Sequence, residues 1–193
     1  MKIVLYMAVS IDGVAALDSK RGIEEYGSKE DHDFFIAASK KCDAVIMGRN
    51  TAFCKISGVP NIVLTHASPR DLGLANGSGD CCANVGAGNG GSGDDRVYMS
   101  GTAREVYDKI AAMGFEKVAL LGGPATNLNF LRAGLVDEIF LTVEPVTIGQ
   151  GIRFLNEPLE TRWTLADTKV LNLRGTIVLH YVASKDAARQ KSE

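Results

Sequence analysis

Short apolar runs recur along this chain, and most are separated by stretches with the caps and composition of helices. That alternation restricts the fold to an α/β arrangement, a central sheet flanked by helices. The runs are Lys2 to Met7, Ala44 to Met47, Asn61 to Thr65, Val97 to Met99, Lys117 to Leu121 and Glu138 to Val143. Ser28 is placed to cap a helix reaching about Lys41, with Glu30 and Asp31 in its first turn, where carboxylates complement the dipole. Ser100 or Thr102 caps a second helix that ends at Gly114, and Ala125 to Ala133 forms a third, closed by Gly134. A further helix begins at Arg49 to Thr51. Between Ser10 and Gly27 the sequence predicts an irregular loop. Trp163 to Leu173 and Thr176 to Ala183 flank Arg174-Gly175 and predict an antiparallel hairpin at one sheet edge, so the sheet is mixed.

With 193 residues, 46% of them hydrophobic, the chain can bury one core and is short for two. We expect a single domain over residues 1–183 and a polar tail over 184–193. Residues 76–95 offer almost nothing large enough to bury and read as a flexible glycine-rich surface loop. Gly86-Ala87-Gly88-Asn89-Gly90-Gly91 satisfies a G-x-G-x-x-G pattern there. It lacks the preceding buried strand and following helix that a dinucleotide fingerprint needs. The net charge of −2 and the absence of a basic stripe argue against nucleic acid as a partner. The apolar N-terminal run is too short for a signal or a membrane span, so the expected location is cytoplasmic, without a membrane partner. Cys42, Cys54, Cys81 and Cys82 have no metal-ligand spacing, and no metal is expected; Cys81-Cys82 stays open as a redox pair.

Two places set a glycine at the end of a buried strand with a helix start directly after it: Met47-Gly48-Arg49-Asn50-Thr51 and Leu121-Gly122-Gly123-Pro124-Ala125-Thr126. Glycine admits a phosphate close to the backbone, and the first amides of the helix point at it. Arg49 adds a planar cation that can bracket a phosphate with two hydrogen bonds. Either site alone is equally a tight turn, and Arg49 alone could pair with a surface carboxylate. Two such sites together suit a dinucleotide.

Residues 43–51, DAVIMGRNT, residues 120–155, LLGGPATNLNFLRAGLVDEIFLTVEPVTIGQGIRFL, and the N-terminal YMAVSIDG resemble the dihydrofolate reductase superfamily. The closer branch is the reductase domain of riboflavin biosynthesis, the RibD C-terminal family. The resemblance implies a dihydrofolate-reductase-like three-layer fold: a mixed, mostly parallel central sheet, helices on both faces and a C-terminal antiparallel hairpin. It implies an NADPH-dependent reductase acting on a small nitrogen heterocycle or its ribosylamino-pyrimidine phosphate relative, and a homodimer joined through the late strands. Gly48, Arg49, Asn50 and Thr51 would hold cofactor phosphates, with Thr65 and His66 near the adenosine 2′-phosphate. Gly122, Gly123, Pro124, Ala125 and Thr126 would close on the pyrophosphate and nicotinamide ribose, and the Ala8 backbone would fix the carboxamide.

On the substrate side the candidates are Asp31 and Thr142 as catalytic groups and Asp12, Ser28 and His32 as binding groups. Ser28 and Asp31 are also explained as helix-start residues, and Asp12-Gly13 as an ordinary turn pair. The chain departs from the riboflavin branch at Leu121, where that branch usually has glutamate, and at Ala52 to Ser57, where it has Asp, Pro and Arg. Alternatives are a dihydrofolate or pterin reductase, a nucleotide-binding transferase or phosphatase using the same two anion sites, and a non-catalytic nucleotide-binding protein on this fold.

Overall fold

The first strand sets the layering. In the computed structural model, which describes residues 1–18, 21–51, 55–65 and 96–184, β1 runs Lys2–Ser10. Its successive side chains leave opposite faces, as in any strand. Ile3 and Leu5 enter a core with Val106, Ile110, Phe130 and Leu131. Val4 and Tyr6 enter another, against Phe34, Phe35 and Ile36. The second core is covered by α1 (Lys29–Ser39), the first by α2 (Ala103–Ala112) and α3 (Pro124–Arg132). Helices thus lie on both faces of the sheet, giving the expected three layers.

Further along the chain come β2 (Val14–Ala16), β3 (Ala44–Gly48), β4 (Asn61–Leu64), β5 (Val97–Met99), β6 (Lys117–Leu120), β7 (Glu138–Glu144), β8 (Ile152–Arg153), β9 (Trp163–Val170) and β10 (Ile177–Ala183). Eight of the strands form one sheet in the order β5-β4-β3-β6-β1-β7-β10-β9. Pairing is parallel from β5 to β7 and antiparallel from β7 through β10 to β9. The hairpin read from residues 163–183 therefore closes one edge. Near the middle, Ala44, Val45, Ile46 and Met47 are all buried, because a parallel strand covered on both faces needs apolar residues at every position. Since β1, β3, β4, β5, β6 and β7 run in one direction, their C-terminal ends share a single rim of the sheet. That rim is where open α/β sheets bind ligands.

Several elements differ from the sequence reading. β1 continues beyond Met7 to Ser10 because β7 pairs with it that far. The stretch expected to be irregular contains β2, paired with β8, and a short 3-10 turn over Ile23–Glu25. Arg49–Thr51 is a 3-10 turn. Thr102, not Ser100, caps α2: its Oγ1 accepts from the Glu105 amide at 3.3 Å while Glu105 Oε2 accepts from the Thr102 amide at 2.8 Å. Ser28 caps α1 as read, accepting from the Asp31 amide. The 76–95 segment with its G-x-G-x-x-G pattern, Cys54, Cys81, Cys82, His66 and the tail beyond Ser184 lie outside the described residues. Among the described residues no helix is long and apolar enough to cross a membrane.

Candidate active site

The two glycine notches meet. Because β3 and β6 are neighbours in the sheet, the turns that leave them touch: the Gly48 amide donates to the Gly122 carbonyl at 2.7 Å. A Cβ built on Gly48 would fall 2.6 Å from Thr126 Oγ1, and one on Gly123 3.3 Å from Thr51 Oγ1. Gly122 sits at φ +95, a conformation L side chains rarely adopt. The Gly122–Gly123 peptide is cis. Gly123 is the N-cap of α3, offers no side-chain cap, and is followed by Pro124 in the first turn. The first amides of α3 are thus left to the space in front of the turn, where Gly123, Pro124, Ala125 and Thr126 line a cavity of about 920 Å3.

On the facing wall, Gly48, Arg49, Asn50, Thr51 and Thr65 line the same cavity. Arg49 is exposed and has no ion pair among the described residues. Thr65 is buried, its amide bonded to the Met99 carbonyl at 2.9 Å. Gly122 is not part of the lining; its carbonyl is the acceptor that joins the two notches.

Ala8 enters through the splay of two strands. The Lys2 amide donates to Glu116 on the β6 side, and the Ile3 amide to Asp137 Oδ2 on the β7 side. In a parallel ladder the direction alternates residue by residue, so Val4, Tyr6 and Ala8 face β6. Pairing with β6 ends at Leu5–Leu120, while pairing with β7 continues to Ser10–Glu144. The Ala8 N–H and C=O therefore point into the gap that opens past β6, and Ala8 lines the cavity there.

At the other end lie Ser28, Asp31, His32 and Thr142, with an apolar wall of Phe34, Phe35, Phe140 and Leu121. Asp31 is buried on α1 and faces the Thr142 hydroxyl across from β7. Burial pushes its carboxyl above the usual range and nearby Glu144 adds to this, while the Thr142 hydroxyl and His32 oppose it. His32 sits at the mouth with its side chain 69% exposed. Leu121 adds an apolar surface to the wall between the two ends of the cavity.

Asp12, expected on the substrate side, does not line the cavity. Its carboxylate accepts from Ser10 Oγ at 2.7 Å, the Ile148 amide at 3.0 Å and the Gly149 amide at 2.7 Å, fastening the turn after β1 to the loop after β7. These donors, Ser10 first, hold its pKa down to about 2 from 3.8. A depressed carboxyl contributes stability that is present above the unfolded value and lost as pH falls through the folded one. Asp12→Asn is therefore expected to lower the thermal midpoint at neutral pH, with the difference from wild type closing between pH 3.8 and about 2; a constant difference in a pH series of melting curves would refute this.

Glu144 was missed. It ends β7 one residue beyond the run read from sequence, yet it shares a face with Thr142 and Phe140 by the two-residue period of the strand. It is 2% exposed and accepts from the Ser28 amide and hydroxyl. Asn127, fully buried beside the Gly122 turn with its Nδ2 3.7 Å from Met7 Sδ, was missed as well.

This is the three-layer fold of the dihydrofolate-reductase-like proteins. Residues 100–179 match the family model described as the RibD C-terminal domain. The Bacillus subtilis (strain 168) protein YwjB is 27% identical over 187 residues, 94% of this chain and 97% of that protein. Two solved structures share the fold. A pyrimidine reductase-like protein from Corynebacterium diphtheriae NCTC is 17% identical with a TM-score of 0.71, the match covering 96% of this chain and 92% of that one. RibD of Acinetobacter baumannii is 17% identical with a TM-score of 0.65; 95% of this chain matches 58% of that longer one.

Proposed function

We propose that the chain is an NADPH-dependent reductase that delivers a hydride to a carbon–nitrogen double bond of a small heterocycle, a pyrimidine or a pterin. The observation that carries this reading is the 2.7 Å contact between the Gly48 amide and the Gly122 carbonyl, which makes one cradle of two notches at the rim of the sheet. The residues present fit a dinucleotide: the glycines leave room for a backbone approach, the first α3 amides and Arg49 suit phosphates, and the splayed edge at Ala8 suits a carboxamide. Thr65 directly follows β4, where a 2′-phosphate would be met. NADPH, when bound, supplies the hydride and leaves as NADP+.

The chain's own residues position the partners and handle the proton. Phe34, Phe35, Phe140 and Leu121 keep water from the substrate end. The Thr142 hydroxyl stands beside the Asp31 carboxyl as its polar neighbour. As hydride reaches the ring carbon, Asp31 gives its proton to the adjacent nitrogen, the C=N becomes CH–NH, and the resulting carboxylate recovers a proton from water.

Fluorescence titration of NADPH and NADH against wild type and Arg49→Ala tests the assignment. Wild type should prefer NADPH. Loss of a charge-assisted phosphate contact of about 1.5–3 kcal/mol should weaken NADPH binding by about 10- to 100-fold in the variant. Unchanged NADPH affinity would remove Arg49 from the phosphate site, and no binding of either nucleotide to wild type would favour a non-catalytic protein.

A further inference from the structure

Glu144 is a buried carboxylate that the reduction as described does not use. Its Oε1 accepts from the Ser28 amide at 2.8 Å and the Ser28 hydroxyl at 2.7 Å, and its Oε2 from the Thr176 hydroxyl at 2.8 Å. Thr176 is itself fully buried and fixed, its amide donating to Asn172 Oδ1 at 3.2 Å and its Oγ1 accepting from Asn172 Nδ2 at 3.0 Å. One side chain thus ties together the head of α1, the end of β7 and the start of β10. Ser28 Oγ also accepts from the Asp31 amide at 3.2 Å, so the anchor reaches the turn that presents Asp31 to the cavity.

The distribution of donors between the two carboxyls is unequal. Glu144 has three, one of them a backbone amide; the Asp31 side chain has at most the neighbouring Thr142 hydroxyl. No cation pairs with Glu144 among the described residues. Two neighbouring buried carboxyls do not both ionise easily, and the negative charge settles on the one that more donors stabilise. The other charged groups on the cavity wall are Lys29 and His32 on α1, Asp18 after β2 and Arg49 after β3. Lys29 is ion-paired with Asp33, Asp18 with Arg21, and His32 is mostly in solvent. Arg49 stands on the opposite wall, with the phosphate cradle.

We propose that Glu144 is a positioning residue for the reduction: it anchors Ser28 at the head of α1 and carries the negative charge of the Asp31–Glu144 pair, leaving the proton on Asp31 at the substrate end of the cavity. That Asp31 then donates to substrate rests on the proposed reductase function; the division of charge between the two side chains does not.

The experiment is a pH titration of the whole protein labelled with 13C at the aspartate side-chain carboxyls, with the Asp31 resonance assigned by its loss in Asp31→Asn. In wild type that resonance should titrate above the other aspartates. In Glu144→Gln, which keeps an acceptor for Ser28 and removes the charge, its midpoint should fall by about one pH unit or more, a tenfold change in acid constant. If circular dichroism finds Glu144→Gln unfolded, Thr176→Val removes the Oε2 donor, together with the acceptor for Asn172 Nδ2, and should move the midpoint the same way by less. An Asp31 midpoint unmoved in the folded variant overturns the proposal, as does an Asp31 that titrates with the other aspartates in wild type. NADPH titration of the same samples reports separately on the reductase reading, because Glu144 lies off the phosphate cradle and its loss should leave that affinity within about twofold while wild-type failure to bind would defeat the function alone.

Discussion

Asp31→Asn is expected to lower kcat by about 10²- to 10⁴-fold, the usual contribution of a positioned general acid, while NADPH affinity stays near the wild-type value. Asparagine keeps the shape of the side chain and a polar neighbour for Thr142, so the loss isolates the proton. The same substitution has a second readout of opposite sign. Because burial first, and Glu144 after it, raises the Asp31 carboxyl, its favourable contribution to folding is complete below the ordinary carboxylate value and is lost as pH rises through the raised one. Above the ordinary carboxylate value the wild type therefore carries a carboxyl that burial disfavours, and Asp31→Asn should melt there at the same temperature or higher. Slower turnover with undiminished stability is the signature of a group kept for chemistry. A variant that retains wild-type kcat would place the proton donor elsewhere; one that turns over slowly and also melts early would mark Asp31 as a structural residue of α1.

What sequence disclosed follows the reach of the physics behind each signal. β3 and β6 were legible because strands covered on both faces must be apolar at every position, and Ala44 to Met47 and Val118 to Leu120 are. Ser28 and Gly134 were legible because caps act within a turn of where they stand. The meeting of Gly48 with Gly122 was not: these residues become neighbours only because β6 inserts between β3 and β1, an outcome of sheet order. The same holds for β2 and β8, short strands whose partners come from distant parts of the chain. Glu144 was lost because a charged residue after an apolar run reads as the end of a strand. It remains inside because Ser28 and Thr176, one far before it and one far after, supply the donors that allow burial. For Asp12 both explanations were open from sequence, and the structure takes the turn: distant amides of Ile148 and Gly149 engage the carboxylate.

Gly48→Ala should weaken NADPH binding by about 10- to 100-fold and lower stability by about 1–3 kcal/mol, the range for forcing a methyl into a packed site. The added Cβ would stand 2.6 Å from Thr126 Oγ1 and 3.5 Å from the Gly123 nitrogen. Threonine cannot easily swing its hydroxyl aside, since that oxygen is carried directly on a branched Cβ with few allowed rotamers. The strain passes instead to the backbone: the first turn of α3 must back away from β3, lengthening the 2.7 Å bond from the Gly48 amide to the Gly122 carbonyl and widening the cradle. The amides of Ala125 and Thr126 then no longer converge on the space that Arg49 faces. Thr126→Ala removes the obstructing oxygen, so the double variant Gly48→Ala/Thr126→Ala should regain most of the lost stability and a measurable part of the affinity relative to Gly48→Ala. That coupling, read by titrating NADPH against all four proteins, distinguishes a cradle spoiled by geometry from a protein that is simply destabilised. Wild-type affinity in the single variant would mean that the dinucleotide does not lie across the two notches.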